Sequence, residues 1–524
     1  MALNQKRTGM PELKNYYITT PIYYVNDAPH IGHAYTTLAC DVLARFKRLD
    51  GYNVNFLTGT DEHGQKVEKS AAAAGKDPQT FTDEVSQNFR DLLGAMNFSN
   101  DDFIRTTEAR HTKAAQAIWK ALEEAGDIYL DNYAGWYSVR DEAFYSEDEL
   151  VKGADGKKLA PTGAEVEWVE EPSYFFRLSA WGDKLLAFYD ANPDFILPET
   201  RRNEVVSFVR GGLRDLSVSR TSFNWGVPVP GNEDHIMYVW LDALTNYITA
   251  VDYPDTNSEK YQIFWPADVH MVGKDILRFH AVYWPAFLMA AGLEAPKRVF
   301  AHGWWTNEGE KISKSTGNAI DPLDLIAEFG LDQVRYFLMR EVPFGNDGDY
   351  SRTAMIQRTN ADLANDFGNL SQRVLSMVFK NCDAAIPAPQ AFTDEDNTML
   401  QQSYDLLDKL RTEYDRQGIH RALEAQWRVV AEANRYVDAQ APWGLKKTDP
   451  ERMGTVLYVL AEVIRNLAIL AQPIVPGSAA KILDQLQQSE EARGFDTIGA
   501  SGALVAGTPL DKPEPVFPRF VEPD

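Results

Sequence analysis

Cysteine is scarce in this chain: Cys40 and Cys382 are the only two in 524 residues. They stand far apart and no CxxC pair occurs, so neither a disulfide framework nor a knuckle of paired metal-binding cysteines can be built from them. Such usage suits a reducing compartment, and the expectation is the cytoplasm. Positive charge is also in short supply. Lys and Arg number 52 against 76 Asp and Glu, a formal net charge of −24. A protein living mainly on nucleic acid usually carries a basic balance. Any nucleic acid here must follow a local basic path on an acidic body. The most apolar long segment, TVLYVLAEVIRNLAILAQPIV, is interrupted by Glu462, Arg465 and Asn466. It therefore predicts a buried bundle helix and no membrane partner. The opening MALNQKRTGMPELKNYY holds charges and no apolar stretch, unlike a signal peptide. Internal repeats and low-complexity tracts are missing too.

What is present fits a large, well-packed globular chain. Hydrophobic residues make up 44% and Trp alone accounts for 12 positions, enough for two to four domains. NYYITTPIYY reads as a buried strand. Ile31, Ala34, Leu38, Val42, Phe46 and Leu49 then follow helical spacing until Asp50-Gly51. YNVNFLTGTDEHG is a second strand breaking into a polar loop. Strand, helix and strand in succession form a βαβ unit and predict a Rossmann-like, doubly wound parallel sheet with ligands at its carboxyl edge. On this reading residues 1–126 and 201–308 are two halves of an α/β domain, separated by a small inserted domain at 127–200. Residues 309–360 connect to an α-helical bundle at 361–498, and 499–524 form a Gly- and Pro-rich tail.

Nine histidines serve the whole chain, yet two of them fall in APHIGHAY, at His30 and His33. Positions i and i+3 share one face of a helix's first turn. That turn offers backbone N–H groups and the positive end of the helix dipole, a ready anion site. Gly32 lets a ligand approach the backbone, and imidazole N–H groups can stabilise charge developing on a phosphate. The alternative is a pair of ordinary surface or core histidines. Far downstream, EKISKSTGN places Lys311 and Lys314 between Gly309 and Gly317. Two ammonium groups on such a loop can close on a pyrophosphate leaving group. Taken alone, the same loop is a solvated charged turn.

Together the intact HIGH tetrapeptide and KISKS, with Ile312 in place of Met, resemble the signatures of class I aminoacyl-tRNA synthetases. The blocks TTPIYYVNDAPHIGHAY, FLTGTDEHGQK, YVWLDALTNYI, GKDILRFHAVYWPA and HGWWTNEGEKISKSTGN resemble the methionyl-tRNA synthetase family and cover the catalytic half almost continuously. The resemblance implies attack of the L-methionine carboxylate on ATP, brought with Mg2+, to give methionyl-adenylate and pyrophosphate. Transfer to the 3′ end of tRNA-Met follows. It assigns His30, His33, Lys311 and Lys314 to catalysis, with Gly32, Lys274 and Asp275 also at ATP. Ile22, Tyr24, Asp61, Trp240, Ala243, Tyr247, Ile276 and His280 would form the methionine site. Asn369, Arg373, Pro442 and Trp443 would read the anticodon.

The chemistry of those residues agrees. A thioether packs well on aromatic edges, and Asp61 suits an ammonium group. Plainer roles stand beside these. Trp240 and Tyr247 equally describe a helix's core stripe, Asp61 or Asp275 a helix cap, and Trp443 a loop anchor. The chain also departs from the family. Many members carry a zinc knuckle in the insertion; here Ser138 and Asp141 stand at those positions, so no structural zinc is expected and Trp136, Tyr137, Phe144 and Tyr145 must hold the insertion. Leu244 replaces a proline found beside the pocket in some members. The tail PEPVFPRF resembles a segment that returns to the body of the protein. With no appended domain of the kind that dimerises some members, a monomer is expected. Competing readings are a synthetase for cysteine, leucine, isoleucine or valine, or a non-catalytic tRNA-binding descendant. The missing zinc site, the missing large editing insertion and the intact histidines and lysines weigh against them.

Overall fold

The aromatic and β-branched run NYYIT forms strand β1 (Asn15–Thr19), its last four residues buried. The short strand β2 (Tyr23–Tyr24), helix α1 (Ile31–Leu49) and strand β3 (Asn53–Asp61) follow. This computed structural model describes residues 14–25, 28–141, 143–153, 156–312 and 320–522. Along α1 the side chains of Ile31, Ala34, Leu38, Val42 and Phe46 are all buried, which is the stripe the sequence spacing predicts. Gly51, at φ 80°, turns the chain out of the helix in a conformation that costs other residues strain.

Seven strands make the main sheet. Strand β4 (Asp102–Arg105) pairs in parallel with β3. On its other flank β1 pairs in parallel with Val269–Gly273, which pairs with Val299–His302, which in turn pairs with Ile196–Leu197. Earlier strands thus lie to one side of β1 and later strands to the other. The sheet is the expected Rossmann-like, doubly wound type, and its order reverses between β1 and Val269–Gly273. In sheets of this type ligands bind in the crevice outside those carboxyl ends, where the connecting loops part. Ile196–Leu197 falls inside the stretch read from sequence as the insertion, yet it forms the edge of this sheet. Two residues are too few for any periodicity to mark them.

The insertion is an antiparallel sheet of Leu216–Ser217, Glu167–Phe176, Ile128–Ser138 and Ala143–Tyr145. Trp136 meets Trp168 edge-to-face with centroids 5.3 Å apart, and Tyr137 is buried; the Phe144 side chain lies outside the described residues. At the positions where the family resemblance places cysteines, hydrogen bonds close the hairpin. The Asp141 amide donates to Ser138 Oγ (3.2 Å), and the Asp141 carboxylate accepts from Arg140 (3.1 Å), Tyr145 (3.1 Å) and the Thr162 hydroxyl.

The chain divides into two compact units. One is Tyr17–Cys40 with Asn55–His302; the other comprises the described parts of Met1–Tyr16, Asp41–Val54 and Gly303–Asp524. The second unit is a helical assembly around Pro450–Ala471. That helix is long and apolar enough to cross a membrane by length and composition, but every residue from Met453 to Ala471 is buried inside the protein. Its polar interruptions Glu462, Arg465 and Asn466 hydrogen-bond to one another, with Arg465 Nη1 left without a partner. Glu462 receives Arg465 at 2.7 and 2.9 Å and the Leu504 amide at 2.9 Å, and Arg465 also reaches the Thr497 carbonyl. The tail lies on the same unit. The Asn360 side chain exchanges two hydrogen bonds with the Phe520 backbone, and the rings of Phe520 and Phe329 stack at 4.8 Å.

Removing one partner of a buried ion pair strands the other charge, so Arg465→Met should destabilise this unit by about 3–5 kcal/mol. Urea unfolding followed by far-UV dichroism checks this; a midpoint equal to the parent's would contradict it.

Candidate active site

Helix α1 begins at Ile31, so His30 occupies its cap position. The His30 ring turns back and its Nδ1 accepts the Gly32 amide at 3.0 Å. His33 Nδ1 accepts the His30 amide at 3.1 Å. The first-turn N–H groups that sequence reading left open to an anion are therefore partly taken by the imidazoles themselves. With both Nδ1 atoms accepting, a neutral ring carries its proton on Nε2, and each becomes an N–H donor there. The rings lie 4.0 Å apart by centroid, and His33 stands edge-on to Tyr23 (4.8 Å) and Phe89 (5.3 Å), which stack on each other. Gly32 has a further purpose: a Cβ there would come within 2.8 Å of His30 Cε1. At the same edge the Thr36 hydroxyl meets His302 Nε2 at 2.7 Å. His302 ends a sheet strand, a position at which ligands collect in this fold, and that placement was the available signal for it.

A second group of candidates packs on or within the core of the same unit. Ile22, Tyr24, Trp240 and Ile276 are half-buried and pack on the core that contains Tyr247; Ala243 and His280 are buried. Leu244 lies in that core as well. Trp240 stacks flat on Phe279 at 3.6 Å, a partner that sequence reading did not single out. Phe279 and His280 sit on a π-helical turn, Phe279–Tyr283, where the usual spacing of 3.6 does not apply. His280 is oriented at both nitrogens: Nδ1 faces the Ile276 carbonyl at 2.9 Å, and Nε2 meets the Tyr247 hydroxyl at 2.7 Å. A carbonyl only accepts, so Nδ1 holds the proton and Tyr247 donates to Nε2. Burial pushes the His280 pKa down to about 4, so the ring is neutral at physiological pH. Beneath it Tyr247 stacks on His270 at 4.0 Å, and His270 is held by Thr19 at 2.8 Å.

Asp61 ends β3 and is buried. The next helix, Gln65–Ala73, has Gly64 at its cap, so Asp61 is not a cap. Lys274 and Asp275 begin a short 3-10 turn after Val269–Gly273, with Gly273 in the cap position, which removes the capping role for Asp275 too. The Asp275 carboxylate folds back on Gly273, where a Cβ would meet its oxygen at 2.5 Å. These residues, with His30, Gly32 and His33, all belong to one unit.

The other unit carries the remaining candidates. Glu310–Lys311 pairs antiparallel with Trp305–Asn307 through Glu308 and Gly309, both at positive φ. The Lys311 side chain and Lys314 lie outside the described residues. Arg373 reaches across from Asn369–Asn381 to Asn434 (2.9 Å) and Asp438 (3.2 Å) on Ile419–Gln440. That helix ends at Ala441, in a left-handed conformation, and buried Pro442 starts the next. Trp443 follows with 53% of its surface exposed, so it anchors no loop. Asn369 is exposed.

A parallel sheet reversing at β1, a histidine-capped helix at its carboxyl edge and a separate helical unit define a class I tRNA synthetase. Residues 16–375 match the family described as tRNA synthetases class I (M), and residues 386–524 match the anticodon binding domain of methionyl tRNA ligase. The methionine–tRNA ligase of Mesorhizobium japonicum is 60% identical over 97% of this chain and 98% of its own length, and that of Brucella suis 59% identical over 98% and 99%. The solved structure of Mycobacterium tuberculosis methionyl-tRNA synthetase in complex with methionyl-adenylate superimposes with a TM-score of 0.95 at 56% identity, covering 97% of this chain and all of that one. The chain belongs to the methionyl-tRNA synthetase family.

The neutral His280 has a consequence for stability. Between pH 6.5 and about 4 the unfolded chain binds a proton at this residue that the folded chain does not. Stability therefore falls as pH drops through that window, and His280 adds no slope above it. His280→Gln should flatten the loss between pH 6.5 and 4, read as denaturation midpoints at each pH.

Proposed function

We propose that this chain activates L-methionine with ATP and transfers it to tRNA-Met, using the residues described above. The observation that carries the reading is the paired use of Nδ1 in His30 and His33, which leaves the proton of each neutral ring on Nε2 at the start of α1. The methionine carboxylate attacks the α-phosphorus of ATP, the bond to the bridging oxygen breaks, and pyrophosphate leaves with its Mg2+. Charge grows on the phosphate oxygens in that step, and His30, His33, Lys311 and Lys314 stabilise it. Gly32, Lys274 and Asp275 hold the nucleotide. Few acid–base groups are needed, because the reaction is driven by position and charge.

Asp61 takes the methionine ammonium, and the side chain lies among Ile22, Tyr24, Trp240, Ala243, Tyr247, Ile276 and His280. The apolar walls and neutral imidazole suit a thioether, which is soft and uncharged. One methylene in such a pocket is worth only about 1–3 kcal/mol, so discrimination rests on the aromatic fit. A terminal ribose hydroxyl of tRNA then attacks the carbonyl carbon, AMP departs, and the ester forms. Asn369, Arg373, Pro442 and Trp443 read the anticodon, with exposed Trp443 offering a stacking face. The helical domain limits 361–498, a monomeric state and a cytoplasmic location belong to the same proposal.

Pyrophosphate exchange should depend on L-methionine. His33→Ala should lower its rate about 100-fold with the methionine KM nearly unchanged; equal loss in both parameters would contradict the role given to the ring. Trp443→Ala should cut aminoacylation kcat/KM by about tenfold or more while leaving pyrophosphate exchange intact, since stacking one base is worth about 1–3 kcal/mol. Aminoacylation should also weaken as salt rises, and a flat response from 50 to 200 mM would count against the tRNA step.

A further inference from the structure

Three buried residues beside the pocket have no part in the reading so far. Asp242 is fully buried, and each of its oxygens receives one imidazole: His63 Nδ1 at 2.6 Å and His111 Nε2 at 2.7 Å. A carboxylate has only lone pairs to offer, so both rings donate to it. Burial pushes this carboxyl up, but the charge of His63 and the hydrogen bonds from His111 and His63 outweigh that effect and keep it well below the usual carboxylate range. His111, wholly buried on Ala109–Glu124, is oriented at its other nitrogen by Thr249 at 3.2 Å.

The three residues come from three separate stretches, and two of those stretches carry residues assigned above to the methionine site, Asp61 and Trp240. His63 lies two residues beyond Asp61, and its carbonyl accepts the Tyr24 hydroxyl at 3.1 Å. The Trp225 indole donates to the Glu62 carbonyl at 2.5 Å and stands edge-on to the His63 ring at 5.6 Å. Asp242 sits on the six-residue helix Val239–Leu244, between Trp240 and Ala243. A helix this short has little stability of its own, so its placement depends on what holds it. One carboxylate therefore ties the segment bearing Asp61 to the helix bearing Trp240.

We propose that His63, Asp242 and His111 form a clasp that sets the separation between Asp61 and the Trp240 helix. It thereby fits the pocket to an amino acid whose ammonium and side chain must be met at both ends. The proposal rests on the methionine site given above. All three are positioning residues: His63 and Asp242 hold the two segments, and His111 fixes the carboxylate from behind. Loosening the clasp weakens methionine without weakening ATP, whose contacts start from α1 and from Val269–Gly273.

Pyrophosphate exchange on the full chain tests this with His63→Leu, His111→Leu, Asp242→Asn, His63→Asn, His111→Gln and Asp61→Asn. The two leucine variants and D242N should raise the methionine KM by about tenfold while the ATP KM stays within about twofold. H63N and H111Q, whose amide N–H groups stand near the lost ring N–H, should return to within about threefold of the parent. A clasp that merely supported folding would lower kcat with both KM values unchanged, and that result overturns the proposal. Should the leucine variants fail to fold, D242N decides alone, and an unchanged methionine KM in it is equally fatal. D61N separates the two layers. If it leaves the methionine KM unchanged, the pocket assignment itself fails and the clasp with it. If D61N raises KM and the clasp variants do not, only the clasp fails.

Discussion

A polar group taken out of water must find a partner, and the contacts of His280 and Tyr247 follow from that requirement. Buried among apolar residues, the His280 ring cannot carry charge. The Ile276 carbonyl takes its one proton and the Tyr247 hydroxyl satisfies its other nitrogen, so neither ring nor phenol is able to rotate without leaving a buried group unpaired. Tyr247 in turn lies flat on His270, which is tied to β1 through Thr19. His280 is thus linked to the central strand of the sheet through a hydrogen bond to Tyr247, a ring stack on His270 and the His270 contact with Thr19. The same rule operates at the start of α1, where two imidazoles satisfy backbone amides.

An acidic chain handling two polyanions needs its positive potential delivered locally, because the overall charge of −24 works against it. Neutral N–H donors at a helix start answer part of that need without adding net charge. Many of the arginines described elsewhere are already engaged. Arg105 spans Glu62 and Asp83, Arg352 spans Glu328 and Glu522, and Arg411 spans Asp50 and Asp408. These pairs commit their guanidinium groups to neighbouring carboxylates and, through Arg352, to Glu522 of the tail.

Sequence made the βαβ start legible because periodicity changes from 2 to 3.6 across residues 15–49, and each period has one structural meaning. It also made the helical half legible, through long amphipathic runs such as Ile419–Gln440. Ile196–Leu197 was not legible, since a two-residue edge strand has no period. The direction in which His30 folds was not legible either: it depends on a rotamer, although the absence of a Cβ at Gly32 is the feature that permits it. Most pocket residues were read through family resemblance rather than from spacing. Phe279 escaped because a π-helical turn shifts the register by one residue. The link from His63 to Asp242 and His111 escaped because it joins positions far apart in the chain, which only the folded sheet brings together.

The hairpin closed by Ser138, Asp141 and Thr162 has a meaning beyond its geometry. A knuckle of thiolates ties a fold to the supply of a metal and to the redox state around it, since zinc can be withdrawn and sulfur oxidised. Hydroxyl and carboxylate groups that hold one another have neither dependence. At this hairpin the closing contacts are made by hydroxyl and carboxylate side chains, and those contacts themselves call for no metal and no particular redox state.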